Sequence, residues 1–228
     1  MSLVQSRNTG RMANSIYETL RERLVSGGYA QGSRISVEAL RTELSVSKQP
    51  VMEALRLLSA DGLVDIIPQV GCVTSVYPVR EIADFYDMFA GFEGAIAAAA
   101  AERRVDAQLY ELEEISIRIG TLRSHPDPDV RARQYRVLNR DFHAKIHEMS
   151  GSRIMVETSR RMWDLSDFLI NTAGASQPLA SATHSRHDDH EEIRRAIIAG
   201  DSLGAREAMA RHILETIDLI RNDNKITD

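Results

Sequence analysis

Four side chains in the second half of the sequence have the types and spacing of a metal site. The stretch LNRDFHAKIHEMSG sets Asn139 and His143 four residues apart, which puts them on one face of a helix. In HDDHEEIRRAI, His190 stands three residues before Ile193 and seven before Ile197, on that helix's apolar stripe. In AMARHILETI, His212 lies between Met209 and Thr216, beside Ile213. Imidazoles converging from several helices into a bundle core are a usual way to hold a transition metal. Neutral imidazole suits Zn, Ni, Cu, Fe or Mn, with Zn, Ni and Mn the leading candidates. An Asn oxygen would add a weak fourth ligand and leave room for water or a substrate oxygen.

The same residues admit a plainer reading. A histidine beside an apolar stripe is more often a hydrogen-bonded core residue than a ligand. His147, His184 and His187 compete for any ligand role, and His147, four residues after His143, could form a surface pair with it. His125 lies in a Pro-rich loop and reads as solvated. An open metal position can also activate water, so a metal hydrolase is a second class these residues allow. Against catalysis, the sequence has no Gly-rich phosphate loop, no G-x-S-x-G elbow and no HExxH. Asp141 and Glu148 flank His143, but charged residues on a helix are usually its solvated face.

A different chemistry is written over residues 43–64, ELSVSKQPVMEALRLLSADGLV. A short helix, a turn and a second helix beginning with Lys48 and Gln49, followed by Met52, have the form of a DNA-reading element. The candidate contacts are Arg34, Ser47, Lys48, Gln49, Pro50, Met52 and Arg56, with Arg41 in reach of phosphate and Gly71 suited to a wing tip in the minor groove.

Both constellations need helices to position them. The chain has 228 residues, 43% apolar and 27% charged, as in an ordinary soluble protein. Aromatics are only 5%, so the core rests on Leu, Ile, Val, Ala and Met, which favours helices. No apolar run reaches the ~18 residues needed to span a bilayer. The first ten residues have no apolar signal core, and the single cysteine, Cys72, allows no intramolecular disulfide, so a cytoplasmic location is expected. Net charge is −5, unevenly divided: residues 1–79 carry 8 Lys and Arg against 7 Asp and Glu, the remainder 20 against 26. That sign favours any nucleic-acid contact in the first third.

Within that third, SIYETLRERLVSG places Ile16, Leu20 and Leu24 on one face and ends at Gly27-Gly28. SVEALRTELSVS reads as a second helix capped by Ser36, with Leu40 and Leu44 inward. SKQPVMEALRLLSADG reads as a third, capped by Ser47, with Pro50 in its first turn and Val51, Leu55 and Leu58 inward. LVDIIPQVGCVTSVYP then predicts a two-stranded hairpin. Three helices and a hairpin make a winged helix-turn-helix over about 10–78, or a small α+β core without a ligand. Helices follow over roughly 80–103, 106–123, 129–150, 152–173, 181–199 and 202–222, broken by SHPDPD and NTAGASQPLAS. The fold expected is mainly α, a winged domain followed over 79–222 by an antiparallel bundle of about six helices.

Taken in order, five segments resemble the GntR family of bacterial transcriptional regulators, in its FadR-type branch. They are SIYETLRERLVSGGYAQGSRIS, VSKQPVMEALRLLSADGLV, PQVGCVTS, LNRDFHAKIHEMSGS and HEEIRRAIIAGDSLGAREAMARHI. The resemblance implies a homodimer whose winged domains bind a pseudo-palindromic double-stranded DNA operator. It implies, too, a helical C-terminal domain that binds a small effector, often a carboxylate or sugar acid. Many members hold a metal there through an Asp or Asn, a His four residues later, and two further His, positions that Asn139, His143, His190 and His212 match. Asn replaces the commoner Asp, which removes a charge and should weaken affinity or change metal preference. Lys48 and Met52 stand where the family typically has Arg, and Glu38 where it often does. Arg bonds guanine O6 and N7 together, whereas Lys is a point charge and Met donates nothing. The expectation is a repressor with a divergent operator. The alternatives are a metal-dependent small-molecule sensor with weakened DNA binding and a metal enzyme on a helical scaffold.

Overall fold

The computed structural model describes residues 3–172 and 183–224, with side chains over 10–172 and 186–217. The described residues form two compact units. One gathers the chain up to Tyr77 together with the segment from Trp163 to the end of its helix, and the other holds Pro78–Met162 with the last two helices.

In the first unit the elements are α1 (Leu3–Val25), β1 (Arg34–Ile35), α2 (Val37–Leu44), α3 (Lys48–Ala60), β2 (Val64–Ile67) and β3 (Gly71–Thr74). Leu20 and Leu24 of α1, Leu40 of α2, and Val51, Ala54, Leu55 and Leu58 of α3 are buried, so the apolar spacing read from the sequence is the core itself. Leu44 is only half-buried. Ser36 caps α2 by accepting the N–H of Ala39 at 3.2 Å. The turn to α3 runs through Ser45, which takes a left-handed conformation (φ 53°) while its N–H reaches back to the carbonyls of Arg41 and Thr42.

Two expectations need correction here. Ser47 occupies the N-cap position of α3 with extended backbone, yet its side chain caps nothing. Pro50, the third residue of the helix, lacks the N–H that the equivalent bond at Ser36 uses, which leaves Ser47 only that of Gln49. The hairpin, moreover, is part of a three-stranded antiparallel sheet of order β1-β3-β2, because Arg34 and Ile35 pair with Val73 and Cys72. Two residues are too few to show a period-2 pattern.

The helix α7 (Arg153–Thr172) contributes its second half to this unit. There Asp164 accepts from Arg21 at 2.8 Å, and the Asn171 amide donates to the carbonyl of Val25 at 2.7 Å, closing the last turn of α1.

The second unit is helical throughout its described residues: α4 (Val79–Arg103), α5 (Asp106–Thr121), α6 (Pro128–Met149), the first half of α7, α8 (Thr183–Ala199) and α9 (Ser202–Asn224). The Ala-rich run Ala97–Ala101 of α4 is buried, and α4 packs chiefly on α9. Small residues are what permit this. A Cβ on Gly94 would stand 2.9 Å from the backbone oxygen of Arg206. Asp127 caps α6 through the N–H groups of Asp129 and Val130, with Pro128 at the first helical position, so SHPDPD both breaks one helix and starts the next. The second break, NTAGASQPLAS, lies outside the described residues from position 173 on. No helix among the described residues is long and apolar enough to cross a membrane.

Candidate metal centre and nucleic-acid interface

Three helices of the second unit bring His143 (α6), His190 (α8) and His212 (α9) together. One nitrogen from each lies within 4.8 Å of the others, and all three are buried. The Nε2 atoms of His190 and His212 are 3.2 Å apart. That is close to the separation of two ligands on one ion with ~2.0–2.1 Å bonds, about 3 Å. Burial first, and the neighbouring imidazoles and Arg186 after it, holds His143 well below the usual imidazole range. Burial and then the same kinds of neighbour act on His190, and burial and Arg186 on His212. All three are therefore neutral at pH 7, the protonation state a metal requires.

The surroundings fix ring orientation. His190 stacks on Phe142 at 4.3 Å between centroids and lies parallel to Tyr135 at 6.3 Å. Nδ1 of His212 faces Oδ2 of Asp189 at 3.2 Å, a carboxylate partner that leaves Nε2 as the ligating nitrogen. Asn139 is buried one turn before His143, and its Oδ1 accepts from the Tyr135 hydroxyl at 3.2 Å. The chain thus brings the three histidines together, with Asn139 one turn before His143 on the same helix.

The competing histidines go elsewhere. His147 is buried, not paired with His143 on the surface, and meets Glu93 at 2.8 Å, while Ser159 binds the same carboxylate. His187 is half-buried beside Gly120, and His125 sits in the Pro-rich loop against the Asp127 backbone. The side chain of His184 lies outside the described residues. Asp141 and Glu148 are exposed, Glu148 on Lys145 at 2.6 Å. Tyr135, Asp189 and Arg186 border the site, Glu93 lies against His147, and none of the four was singled out from the sequence. Asp189 and Arg186 flank His190 on one helix, a signal of position only. Glu93 is 50 residues before His143 and carries none.

In the first unit, Lys48, Gln49 and Arg56 are exposed and Met52 is half-buried. Lys48, Met52 and Arg56 stand four residues apart and so line one side of α3, opposite Val51, Ala54, Leu55 and Leu58. The Ser47 hydroxyl is free of a capping role and exposed. Pro50 is buried in the first turn of α3. Arg34 is exposed on β1, its guanidinium near Gly71, where a φ of +116° favours glycine. Arg41 is tied to Glu38 at 2.6 Å, which partly spends its charge within α2. Cys72 is buried on β3 with its thiol pushed up to about 11, an unreactive state.

A winged helix-turn-helix joined to a helical domain with a polar heart defines a class, the ligand-responsive transcriptional regulators. The comparisons agree. Residues 12–73 match the family described as bacterial regulatory proteins of the gntR family, and residues 84–215 match the FCD domain, a family that often binds metal. The HTH-type transcriptional repressor GlaR of Escherichia coli K12 is 22% identical, over 90% of this chain and 94% of its own. The repressor RspR of the same strain is 24% identical, over 90% and 87%. Among solved structures, E. coli McbR/YncC shares the fold with a TM-score of 0.77 at 20% identity, over 92% and 97% of the two chains. The chain belongs to the GntR family of DNA-binding transcriptional regulators, in the branch with an FCD C-terminal domain, and not to an enzyme family.

Proposed function

We propose that this regulator is a cytoplasmic homodimeric repressor whose operator affinity is set by a small carboxylate bound beside a metal in the FCD domain. The observation that carries the reading is the cluster of His143, His190 and His212, buried, neutral and within ligating distance of one another. These three would hold the ion, with Asn139 as a weak neutral neighbour. Zn, Ni or Mn suits nitrogen donors of this kind, and a carboxylate effector would take a position the protein leaves to exchangeable water. The ion supplies positive charge that offsets the desolvation of that carboxylate.

DNA contact is assigned to Lys48, Gln49, Met52 and Arg56 on α3, Ser47 at its start, and Arg34 and Gly71 on the wing. Met52 offers an apolar face to a thymine methyl, where an arginine would have selected guanine. A second copy of the chain is supported by unpartnered apolar side chains of the second unit, among them Tyr110 and Ile117 seven residues apart on α5 and Val137 on α6.

The test is a mobility shift on the DNA upstream of the gene, together with metal analysis of protein purified without chelator. Specific retardation and about one transition-metal equivalent per chain are expected. Occupancy below about 0.2 equivalents after reloading returns the histidines to core residues.

A further inference from the structure

Arg186 lies one turn before His190 on α8, and 95% of it is shielded from solvent, since its relative exposure is 5%. Its Nη1 donates to the carbonyl of His212 at 2.6 Å and its Nη2 to the Thr216 hydroxyl at 2.9 Å, both on α9. The Tyr135 hydroxyl lies beside the same guanidinium and feels its charge. Its Nε–H is buried with no hydrogen-bond partner. A buried guanidinium donor left unmade costs more than an ordinary one, so an orphan of this kind calls for a ligand.

Charge points the same way. A divalent ion held by three neutral imidazoles would keep its full charge, and Arg186 adds another within one helical turn, about 5–6 Å between Cβ atoms. Among the described residues Arg186 pairs with Asp189, at 3.9 Å and partly exposed, and that group is shared with His212. The buried carboxylate of Glu93 is taken by His147 and Ser159. Asp189 alone would offset only part of that positive charge, and a low-dielectric interior penalises the remainder.

We propose that Arg186 is the residue that receives the anionic end of the effector: its Nε–H binds one carboxylate oxygen of a small acid held beside the three histidines. The Tyr135 hydroxyl, which donates to Asn139 and lies beside Arg186, closes the polar wall of that subsite. The short distance along α8 selects small mono- and dicarboxylic acids over long-chain ones. The assignment rests on the effector reading given above and identifies the side chain that recognises the ligand.

The experiment uses full-length protein and three probe acids: acetate, malonate and succinate. Co(II) loading is followed first by its visible spectrum, and each acid is then titrated calorimetrically into loaded and metal-free protein. Wild type should bind at least one acid. Arg186→Gln should still take up about one Co(II) while its affinity for that acid falls at least tenfold. Arg186→Lys should lose about threefold or more, because one ammonium cannot keep the α9 contacts and also reach the acid. A purely structural Arg186 would lower the melting temperature and leave acid affinity per folded chain unchanged. If wild type takes up no Co(II), the metal reading fails, and the same comparison on metal-free protein still decides the role of Arg186. The proposal is overturned if wild type binds none of the three acids, or if Arg186→Gln binds within twofold of wild type. Should Arg186→Gln not fold, Arg186→Lys within twofold overturns it equally.

Discussion

At the scale of residues, the chemistry of the second unit is one of neutral donors. His143, His190 and His212 are held well below the ordinary imidazole range chiefly by burial. In the unfolded chain each titrates near ~6.5. Below that pH the unfolded state gains protons that the folded state refuses, so stability of the metal-free protein falls as pH drops, by at most about 1.4 kcal/mol per pH unit for each histidine. Above it, both states are neutral and nothing changes. Asp189, raised by burial, acts with the opposite sign but nearer the carboxylate range. Urea denaturation at pH 7.5 and 5.5 should therefore show a clear loss at the lower pH, shallower in His212→Ala. Equal midpoints at the two pH values would mean that the folded chain accepts these protons after all.

At the scale of elements, two serines of the helix-turn-helix look alike in sequence and differ in structure. Ser36 bonds the N–H of Ala39, and Ser36→Ala should cost about 1 kcal/mol. Ser47 sits at the corresponding position of α3 without a capping bond, and Pro50 offers no N–H there. Ser47→Ala should cost under about 0.5 kcal/mol, within the range of surface changes, and instead weaken operator binding through a lost phosphate contact. Paired urea melts and DNA titrations separate the two roles. A stability loss at Ser47 as large as at Ser36 would assign it back to the helix.

For the whole molecule, operator binding should be dimeric and salt-dependent. Winged domains paired on one palindrome gain effective concentration, which matters more where Lys48 and Met52 replace arginines. Light scattering at micromolar concentration should give a dimer. The slope of log affinity against log salt should fall by about 0.9 for each phosphate contact removed, so Lys48→Ala costs about one counterion per protomer if it contacts phosphate. An unchanged slope with relaxed discrimination at one operator position would mark Lys48 as a base reader. No change in either would take α3 out of the groove.

Much of this protein is legible in one dimension. Leu20, Leu24, Leu40, Leu55 and Leu58 recur at helical spacing, and each is buried as that spacing requires. The four-residue step from Asn139 to His143 likewise survives into the structure, because a helix converts it directly into a shared face. What needs contact between distant segments is not legible. The strand at Arg34–Ile35 exists only through its pairing with β3. His147 competes with His143 for a ligand role by sequence, yet one turns to Glu93 and the other to His190 and His212. Arg186 looks like any charged residue near a helix start until α9 supplies the carbonyl of His212 and the hydroxyl of Thr216 to hold it in the interior. Periodicity reports which side of its own helix a residue faces. Only the packing of one helix on another decides which groups meet there, because that choice rests on side-chain shape and charge summed over elements far apart in the chain.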